Sequence, residues 1–326
     1  MNKNQDNKKE DLILDNLLRP KKWDEFIGQE KIKKSLKMML ESALKRNDTL
    51  DHLLFFGPSG VGKTTLAYLI ANELNAPIIV SSGPAIQKLG DLAAILTNLE
   101  EKQVLFIDEI HRLNKKIEEV LYPALEQRKL NLIIGKGVSS RTLEFQLPKF
   151  TLIAATTKPN LLSNPLRNRF GLIGHLDFYE ISEIEQIIKR SAKILNIEIT
   201  TEGIKIIAQA SRAIPRIANR LLKRTWDLQT VQNKTLIDEE LALETLEILN
   251  LDKFGLEELD RNILKTLAFK FNGGPVGIET LAISLNEDKE TIEALSEPYL
   301  IRLGFIERTN KGRIATKAAF DYLKNI

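Results

Sequence analysis

A glycine-rich segment that ends in lysine and threonine contains the residue types needed for phosphate chemistry. Residues 57–64 have the sequence Gly-Pro-Ser-Gly-Val-Gly-Lys-Thr, which matches the complete phosphate-loop pattern. In such a loop, backbone N–H groups surround phosphate oxygens and the following helix adds partial positive charge. We therefore predict an ATP site in which Lys63 neutralises the β- and γ-phosphates and the Thr64 hydroxyl ligates Mg²⁺. Gly60 and Thr65 are further predicted nucleotide contacts.

Two acidic residues, Asp108 and Glu109, directly follow an apolar stretch at 104–107. Carboxylates at the end of a buried strand need a cation nearby, and Mg²⁺ at the phosphate loop would supply it. We predict that Asp108 holds Mg²⁺ through water and that Glu109 orients or deprotonates the attacking water. An acidic helix cap is the alternative interpretation. His111 follows in the same turn and is assigned no chemical role.

A second apolar stretch, 152–155, ends in Thr156 and Thr157. The ends of parallel strands gather at one edge of a sheet, where ligands bind. Thr157 is predicted to contact the γ-phosphate or the attacking water, with Thr156 as the alternative. The alternative is that both threonines are ordinary hydroxyl residues at the end of a strand, with no role in catalysis.

Three arginines are candidates for contact with the nucleotide. Arg167 and Arg169 lie within the segment 165–170, and Arg216 follows a proline at the start of a predicted helix. A guanidinium group can stabilise the charge that spreads over a phosphoryl group during transfer. From the residues alone, the alternative is that all three are ordinary surface arginines.

The elements around these residues predict a parallel α/β sheet. Short apolar stretches at 53–56, 78–80, 104–107 and 152–155 are typical of buried strands, and helical segments separate most of them. Apolar residues at helical spacing predict a helix over 30–45. The strand-like segments 130–134 and 141–147 flank a Gly-Lys-Gly turn, which indicates an inserted β-hairpin.

The remainder of the sequence predicts two smaller domains. From Ile181 the pattern is helical, and residues 182–185 have the form of a capping box that begins at Ser182. From about residue 255 the order is helix, Gly-Gly-Pro turn, two helices and two short strands, the plan of a winged-helix domain. We expect an α/β domain over 1–181 with the hairpin at 130–147, an all-α domain over 182–254 and a winged-helix domain over 255–326.

A cluster of basic residues near the C-terminus predicts contact with a polyanion. Five basic residues fall within sixteen positions: Arg302, Arg308, Lys311, Arg313 and Lys317. Arg308 and Arg313 flank a short turn, and we expect both guanidinium groups to project toward a DNA backbone. A solvated wing with ordinary surface charges is the alternative.

Composition excludes several other classes of protein. The 326 residues include no cysteine and three separated histidines, which excludes disulfides and argues against a structural zinc site. No apolar stretch approaches the roughly 18 residues of a membrane helix. The polar N-terminal segment lacks the apolar core of a signal peptide, and we expect a cytoplasmic protein. The net charge of +3 is too small to indicate a partner.

Together these motifs resemble the AAA+ superfamily and, within it, the RuvB family of Holliday-junction branch-migration ATPases. The segments that carry the resemblance extend from about residue 18 to 317. They are Arg19-Pro20, 26–29, the phosphate loop, 105–113, 118–124, 155–157, 165–171, 215–220, 273–277, 297–300 and 308–313. Motifs as far as Arg216 are partly shared with other AAA+ proteins, whereas the hairpin and the C-terminal motifs are more specific.

The resemblance implies a hexameric ring with ATP at the subunit interfaces. It implies that Arg169 reaches the neighbouring subunit's γ-phosphate and that Leu18, Arg19, Tyr179 and Arg216 contact the nucleotide. The hairpin would dock a RuvA-type junction-binding protein, and the resolvase RuvC would join the wider complex. Ser59 stands where the family usually has proline, which should alter only loop stiffness. Gln127-Arg128 replaces a more acidic-aromatic pair, which puts nucleotide contacts there in doubt.

We therefore expect an ATP-hydrolysing DNA motor that moves four-way junctions during recombination and repair. A clamp-loader or replication-initiator ATPase is the alternative, but it would not need this hairpin together with this C-terminal domain. A non-enzymatic winged-helix regulator that only binds ATP is a third possibility. Glu109 argues against it, because a protein that only binds ATP needs no general base.

Overall fold

A computed structural model describes residues 13–134 and 141–325. The chain forms two compact units. One contains the chain up to Glu183 together with Ile214–Arg216, and the other contains Ile184–Ala213 and Ile217–Ile326.

The first unit is built on a five-stranded parallel sheet within the described residues. Its strands are β1 (Leu53–Phe56), β2 (Ile78–Ser82), β3 (Gln103–Asp108), β6 (Phe150–Thr156) and β7 (Leu172–His175), in the order β2-β3-β6-β1-β7. The four predicted strands are confirmed. The edge strand β7 was not predicted, because Ile173 and His175 are exposed and the segment has no apolar run.

Helices pack with this sheet and share the hydrophobic core with it. They are α1 (Glu30–Arg46), α2 (Lys63–Glu73), α3 (Leu89–Thr97), α4 (Lys115–Glu126) and α5 (Asn164–Arg167), and residues 13–18 are also helical. The predicted helix over 30–45 is confirmed. Its buried residues Ile32, Leu36, Leu40 and Ala43 recur every three or four positions, which places them on one face of the helix.

The predicted hairpin is present as β4 (Lys129–Ile134) and β5 (Arg141–Gln146), which pair antiparallel. The predicted Gly-Lys-Gly turn lies outside the described residues. Near the base of the hairpin, Leu130 is fully buried and Leu132 packs against the core of the first unit. On the opposite strand, Leu143 and Phe145 are 42% and 39% exposed.

The second unit begins as a group of helices. These are α6 (Ile181–Leu195), whose first residues belong to the first unit, then α7 (Thr201–Ala210), α8 (Pro215–Val231) and α9 (Glu239–Ile248). The capping box predicted at Ser182 is wrong, because the helix already begins at Ile181. Instead, the Glu183 carboxylate accepts a hydrogen bond of 2.9 Å from the backbone N–H of Glu180, one turn earlier.

The C-terminal part of this unit is a winged helix. It comprises α10 (Glu258–Lys265), a π-helical turn (Thr266–Lys270), α11 (Ile278–Leu285), α12 (Lys289–Thr291), a second π-helical turn (Ile292–Ser296), α13 (Glu297–Arg302), β8 (Ile306–Thr309), β9 (Gly312–Ala315) and α14 (Lys317–Leu323). The two wing strands are confirmed within one residue. The final helix was not predicted, and it contributes Ala319, Tyr322 and Leu323 to the core. No helix among the described residues has the length and apolar character needed to cross a membrane.

Candidate functional site

The phosphate loop lies where β1 meets α2. The carbonyl of Leu176 approaches Gly57 so closely that a Cβ there would lie 2.0 Å from its oxygen, and the φ of Gly57 is +145°. A side chain at this position would therefore push the loop away from the sheet. The helix begins at Lys63, with Gly62 as its N-cap, as the motif predicts.

The Lys63 ammonium group lies inside this loop. Its Nζ donates to the carbonyls of Gly57 and Pro58 at 2.8 and 2.7 Å. Burial lowers the pKa of Lys63 to about 8, although Glu109 and Asp108 oppose the shift. A phosphate group against Nζ would raise the pKa of Lys63 again, because a nearby anion stabilises the charged ammonium group.

The two acidic residues are positioned by the end of β3. Ser82 on β2 lies opposite Asp108, so the carboxyl ends of both strands reach the same edge. Glu109 adopts a left-handed backbone with φ of 47°. Gly83 makes room for this turn, since a Cβ there would lie 2.3 Å from the Glu109 carbonyl oxygen. A strained backbone beside a reactive carboxylate is frequent at functional sites.

Asp108 is suited to a cation. Burial raises the pKa of its carboxyl group; the hydrogen bond from the Glu109 backbone N–H, Lys63 and Arg216 lower it, and the Glu109 charge raises it. Among the described residues, no group of three or more acidic or histidine side chains could hold a metal alone. One carboxylate and one hydroxyl, Asp108 and Thr64, still fit Mg²⁺, which usually takes its remaining ligands from phosphates and water.

The two strand-end threonines have different surroundings. Thr157 Oγ1 donates to Glu109 Oε2 at 3.0 Å. Thr156 is fully buried, and its Oγ1 accepts from the Lys158 backbone N–H at 3.0 Å. The geometry therefore brings Thr157 to the carboxylate and makes Thr156 a structural anchor.

His111 belongs to the same cluster, although sequence reasoning gave it no role. Its Nδ1 lies 3.1 Å from Glu109 Oε2 and 2.8 Å from Thr156 Oγ1. The available signal was its position two residues after Glu109, at the carboxyl edge of the sheet.

Of the other predicted nucleotide residues, Tyr179 contacts the phosphate loop and Arg19 contacts the helix that follows it. Tyr179 Oη donates to the Val61 carbonyl at 3.1 Å, and Leu18 is buried. The Arg19 guanidinium lies 4.3 Å from the centroid of the Tyr68 ring.

Arg216 approaches the loop from the start of α8. Its backbone N–H donates to the Gly60 carbonyl at 3.4 Å, and its Nε pairs with Asp15 at 3.1 Å. These contacts hold its half-exposed side chain beside the phosphate loop.

Arg169 is held away from this cluster. Its guanidinium pairs with Glu126 at 3.0 Å and lies 4.5 Å from the centroid of the Tyr122 ring. Its Nε is buried and forms no hydrogen bond with the described residues. Within one chain the structure therefore does not bring Arg169 to the phosphate loop.

Comparison with known families accounts for nearly the whole chain. Three family models match in succession: the Holliday junction DNA helicase RuvB P-loop domain at residues 18–176, the RuvB AAA lid domain at 179–252 and the RuvB C-terminal winged helix domain at 253–324. The chain belongs to the RuvB family.

Similar RuvB proteins agree over the same length. The Holliday junction branch migration complex subunit RuvB of Fusobacterium nucleatum is 50% identical over 309 residues, which are 95% of this chain and 93% of that protein. The Thermotoga maritima RuvB Holliday junction branch migration motor is 50% identical, with a TM-score of 0.86 over 94% of this chain and 98% of its own. A mutant of that Thermotoga protein is 49% identical over the same shares, also with a TM-score of 0.86. The predicted fold is therefore confirmed: an AAA+ P-loop domain with a parallel sheet, a lid domain and a winged-helix domain.

In this RuvB-family winged helix, only one of the two predicted DNA arginines projects from the wing. The Arg308 side chain is 63% exposed, whereas that of Arg313 is 7% exposed. Arg313 Nη2 pairs with Glu297 at 2.8 Å and with Glu293 at 3.0 Å. The expectation that both guanidinium groups project is therefore wrong for Arg313. The two arginines face each other across the wing and share one face, but Val276 pairs with the other edge of β9, so Arg313 lies on the middle strand and Arg308 on the outer one.

Arg313→Ala is expected to destabilise the winged helix by about 3–5 kcal/mol, because it removes the buried, hydrogen-bonded cation of Glu297 and leaves only the more distant Arg308. The matched control is Arg308→Ala, whose exposed guanidinium lies 3.8 and 4.0 Å from the carboxylates of Glu297 and Glu293, beyond hydrogen-bond distance, and contributes less than about 1 kcal/mol. Amide hydrogen exchange of residues 256–323 measures the difference. Equal protection in both variants would contradict a structural role for Arg313.

Proposed function

We propose that this RuvB-family chain is an ATP-hydrolysing motor that drives branch migration of Holliday junctions in recombination and repair. The observation that carries the proposal is the cluster of Lys63, Asp108, Glu109 and Thr157 at one sheet edge, in a chain that also carries a winged helix. The first feature suits ATP hydrolysis and the second suits DNA.

Each residue of the cluster has its own role in the proposed reaction. Lys63 binds the β- and γ-phosphates, and Glu109 accepts a proton from the attacking water. Thr157 donates a hydrogen bond to Glu109, and its proposed role is to contact the γ-phosphate when ATP is bound. Mg²⁺, held by Thr64 and through water by Asp108, would neutralise charge on the phosphate oxygens.

The arrangement of Arg169 favours action on a neighbouring subunit. Within its own chain it is paired with Glu126 and lies against Tyr122, away from Lys63. A hexameric ring with ATP at each interface would give this guanidinium a γ-phosphate to approach. That ring is part of the proposal.

Arg308 is the proposed contact with the DNA backbone. Its exposed guanidinium lies in β8, one residue from the Thr309–Gly312 turn of the wing. A motor that moves along DNA should contact phosphates rather than read bases.

Arg308→Ala is expected to weaken DNA binding equally for all sequences and to reduce the salt slope of binding by about 0.9. The reason is that one fewer phosphate contact releases one fewer counterion. Arg308→Lys is the matched control, since it keeps the charge and should keep the slope. Binding of a duplex at several salt concentrations measures both, and an unchanged slope in Arg308→Ala would show that the wing does not contact DNA.

The hairpin is the proposed docking site for a RuvA-type junction-binding protein. Leu132 packs partly against the core of its own chain, which makes it less suited to a partner. Leu143 and Phe145 are the exposed apolar residues of the described hairpin. RuvC belongs to the same proposed complex.

Phe145→Glu is expected to abolish stimulation of junction migration by the partner and to leave basal ATPase activity unchanged, because a charge there opposes burial against another protein. The control is Glu144→Gln, on the other face of the same strand, which loses only an exposed pair with Lys129. A lower melting temperature for Phe145→Glu, with docking intact, would instead indicate that the residue packs within its own chain.

The three domains are proposed to divide near residues 181 and 254. The winged-helix core supports the second boundary, since its buried residues run from Leu256 to Leu323. A cytoplasmic location belongs to the same proposal, because a junction motor must reach chromosomal DNA.

The clamp-loader alternative is not favoured by the comparisons. The two functions differ in the DNA that stimulates hydrolysis. We expect a four-way junction with a RuvA-type protein to increase the ATPase rate, whereas primed template with a sliding clamp should have no additional effect over duplex DNA. Stimulation only by the clamp would support the alternative.

A further inference from the structure

His111 lies in the short 3-10 turn Ile110–Arg112, which directly follows Glu109. Its side chain is 8% exposed, and its Nδ1 faces two oxygens. Glu109 Oε2 lies at 3.1 Å and Thr156 Oγ1 at 2.8 Å. The ring therefore connects the end of β6 to the carboxylate of the proposed general base.

The position of Glu109 determines which nitrogen of His111 carries a proton. A bare Nδ1 lone pair facing a carboxylate oxygen at this distance would be repelled, so Nδ1 carries the hydrogen and donates. Burial lowers the pKa of His111 below its usual value, with Lys158 and Arg112 acting in the same direction and Glu109 and Asp108 opposing it. The N–H of this neutral imidazole therefore donates its hydrogen bond to Thr156 Oγ1 at 2.8 Å, and its partial positive charge faces Glu109 Oε2 at 3.1 Å.

Two N–H or O–H groups consequently face one oxygen of Glu109, one as a hydrogen-bond donor and one as a close electrostatic contact. Thr157 Oγ1 donates to Oε2 at 3.0 Å, and His111 Nδ1–H approaches the same atom. Within the described part of the chain, no hydrogen bond is recorded for Oε1, which remains available to a water molecule. Fixing one carboxylate oxygen sets the direction of the other.

Thr156 anchors the imidazole at its other contact. The residue is fully buried in β6, and the Lys158 backbone N–H holds its Oγ1. When Thr157 turns toward a γ-phosphate, Glu109 would lose its hydrogen bond from that residue. The N–H of His111, 3.1 Å away, would then be the group that still holds Oε2 in place.

We propose that His111 is a positioning residue for ATP hydrolysis, which orients the Glu109 carboxylate through Nδ1–H while Thr156 fixes the ring. The inference rests on the proposed role of Glu109 and adds a residue to it. His111 itself touches neither nucleotide nor water.

The test compares two substitutions of nearly equal shape in the full chain, with ATPase measured in the presence of duplex DNA. His111→Asn retains a short N–H donor, whereas His111→Leu has none. We expect His111→Leu to lower kcat by about 10²-fold, as loss of alignment does, with KM for ATP unchanged. His111→Asn should recover most of kcat.

A third variant separates orientation from packing. His111→Phe keeps a ring of similar size without the donor, and it should behave like His111→Leu. Binding of a fluorescent ATP analogue should be unchanged in all three variants, which verifies that the site is folded. Equal kcat in the Asn and Leu variants would overturn the proposal, and so would loss of ATP binding in all three variants.

Failure of this inference is distinguishable from failure of the proposed function. If Glu109→Gln is inactive and the His111 variants are normal, only the positioning role is wrong. If Glu109→Gln hydrolyses ATP normally, the assignment of the base itself is wrong. Adding His111→Leu to Glu109→Gln should cause no further loss of rate, because an amide in place of the base leaves nothing for His111 to orient. An additional loss in the double variant would contradict action through Glu109.

Discussion

Arg169→Ala is expected to lower the rate of ATP hydrolysis by roughly 10³–10⁵-fold, the effect of removing an arginine finger. Within one chain this guanidinium is paired with Glu126, remote from the phosphate loop formed around Lys63. If it acts on the neighbouring subunit, the variant should bind ATP normally. Arg167→Ala, two residues earlier in the same segment, is the matched control and should retain most activity.

Mixing variants tests whether Arg169 acts in trans. Lys63→Ala removes the phosphate-binding lysine but leaves Arg169 intact, so mixed assemblies contain some interfaces with both groups. Hydrolysis should therefore recover when Arg169→Ala and Lys63→Ala subunits are combined, although each is inactive alone. An absence of recovery in mixtures that demonstrably exchange subunits would contradict the proposed ring geometry.

Glu109→Gln is expected to retain ATP binding and to lower turnover by about 10²–10⁴-fold, the usual contribution of a general base. The amide can still accept a hydrogen bond from Thr157, so the loop and sheet edge should be undisturbed. Single-turnover hydrolysis and equilibrium ATP binding measure the two effects separately.

Lys63→Ala provides the contrasting variant for that experiment. It removes the main cationic partner of the phosphates and should impair ATP binding itself. Weak ATP binding by both variants, or normal turnover by Glu109→Gln, would remove the assignment of Glu109 as the base.

The phosphate loop and its sheet could be predicted because local sequence determines them. The strand before Gly57 is uniformly apolar, and Lys63 begins a helix because the glycine at its N-cap permits the turn. The β7 strand could not be predicted, since it becomes a strand only by pairing with β1. Its exposed Ile173 and His175 give no periodic signal.

Charge clusters were less informative than motifs. Arg308 and Arg313 look equivalent in sequence, but the partners of Arg313 lie 16 and 20 residues earlier in the chain, at Glu297 and Glu293. Likewise, the contact of His111 with Thr156 spans 45 residues. Neither contact could be deduced without the fold, because tertiary packing selects the partner.

ATP hydrolysis at Glu109 is proposed to drive movement of a four-way junction. The most direct test of this proposal is dissociation of a synthetic four-way junction by the full chain with a RuvA-type protein, using ATP or a non-hydrolysable analogue. We expect dissociation by the unmodified chain with ATP, and none with the analogue or with Glu109→Gln. If the junction stays intact although the protein binds it and hydrolyses ATP, hydrolysis does not drive junction movement. Equal dissociation by Glu109→Gln would lead to the same conclusion.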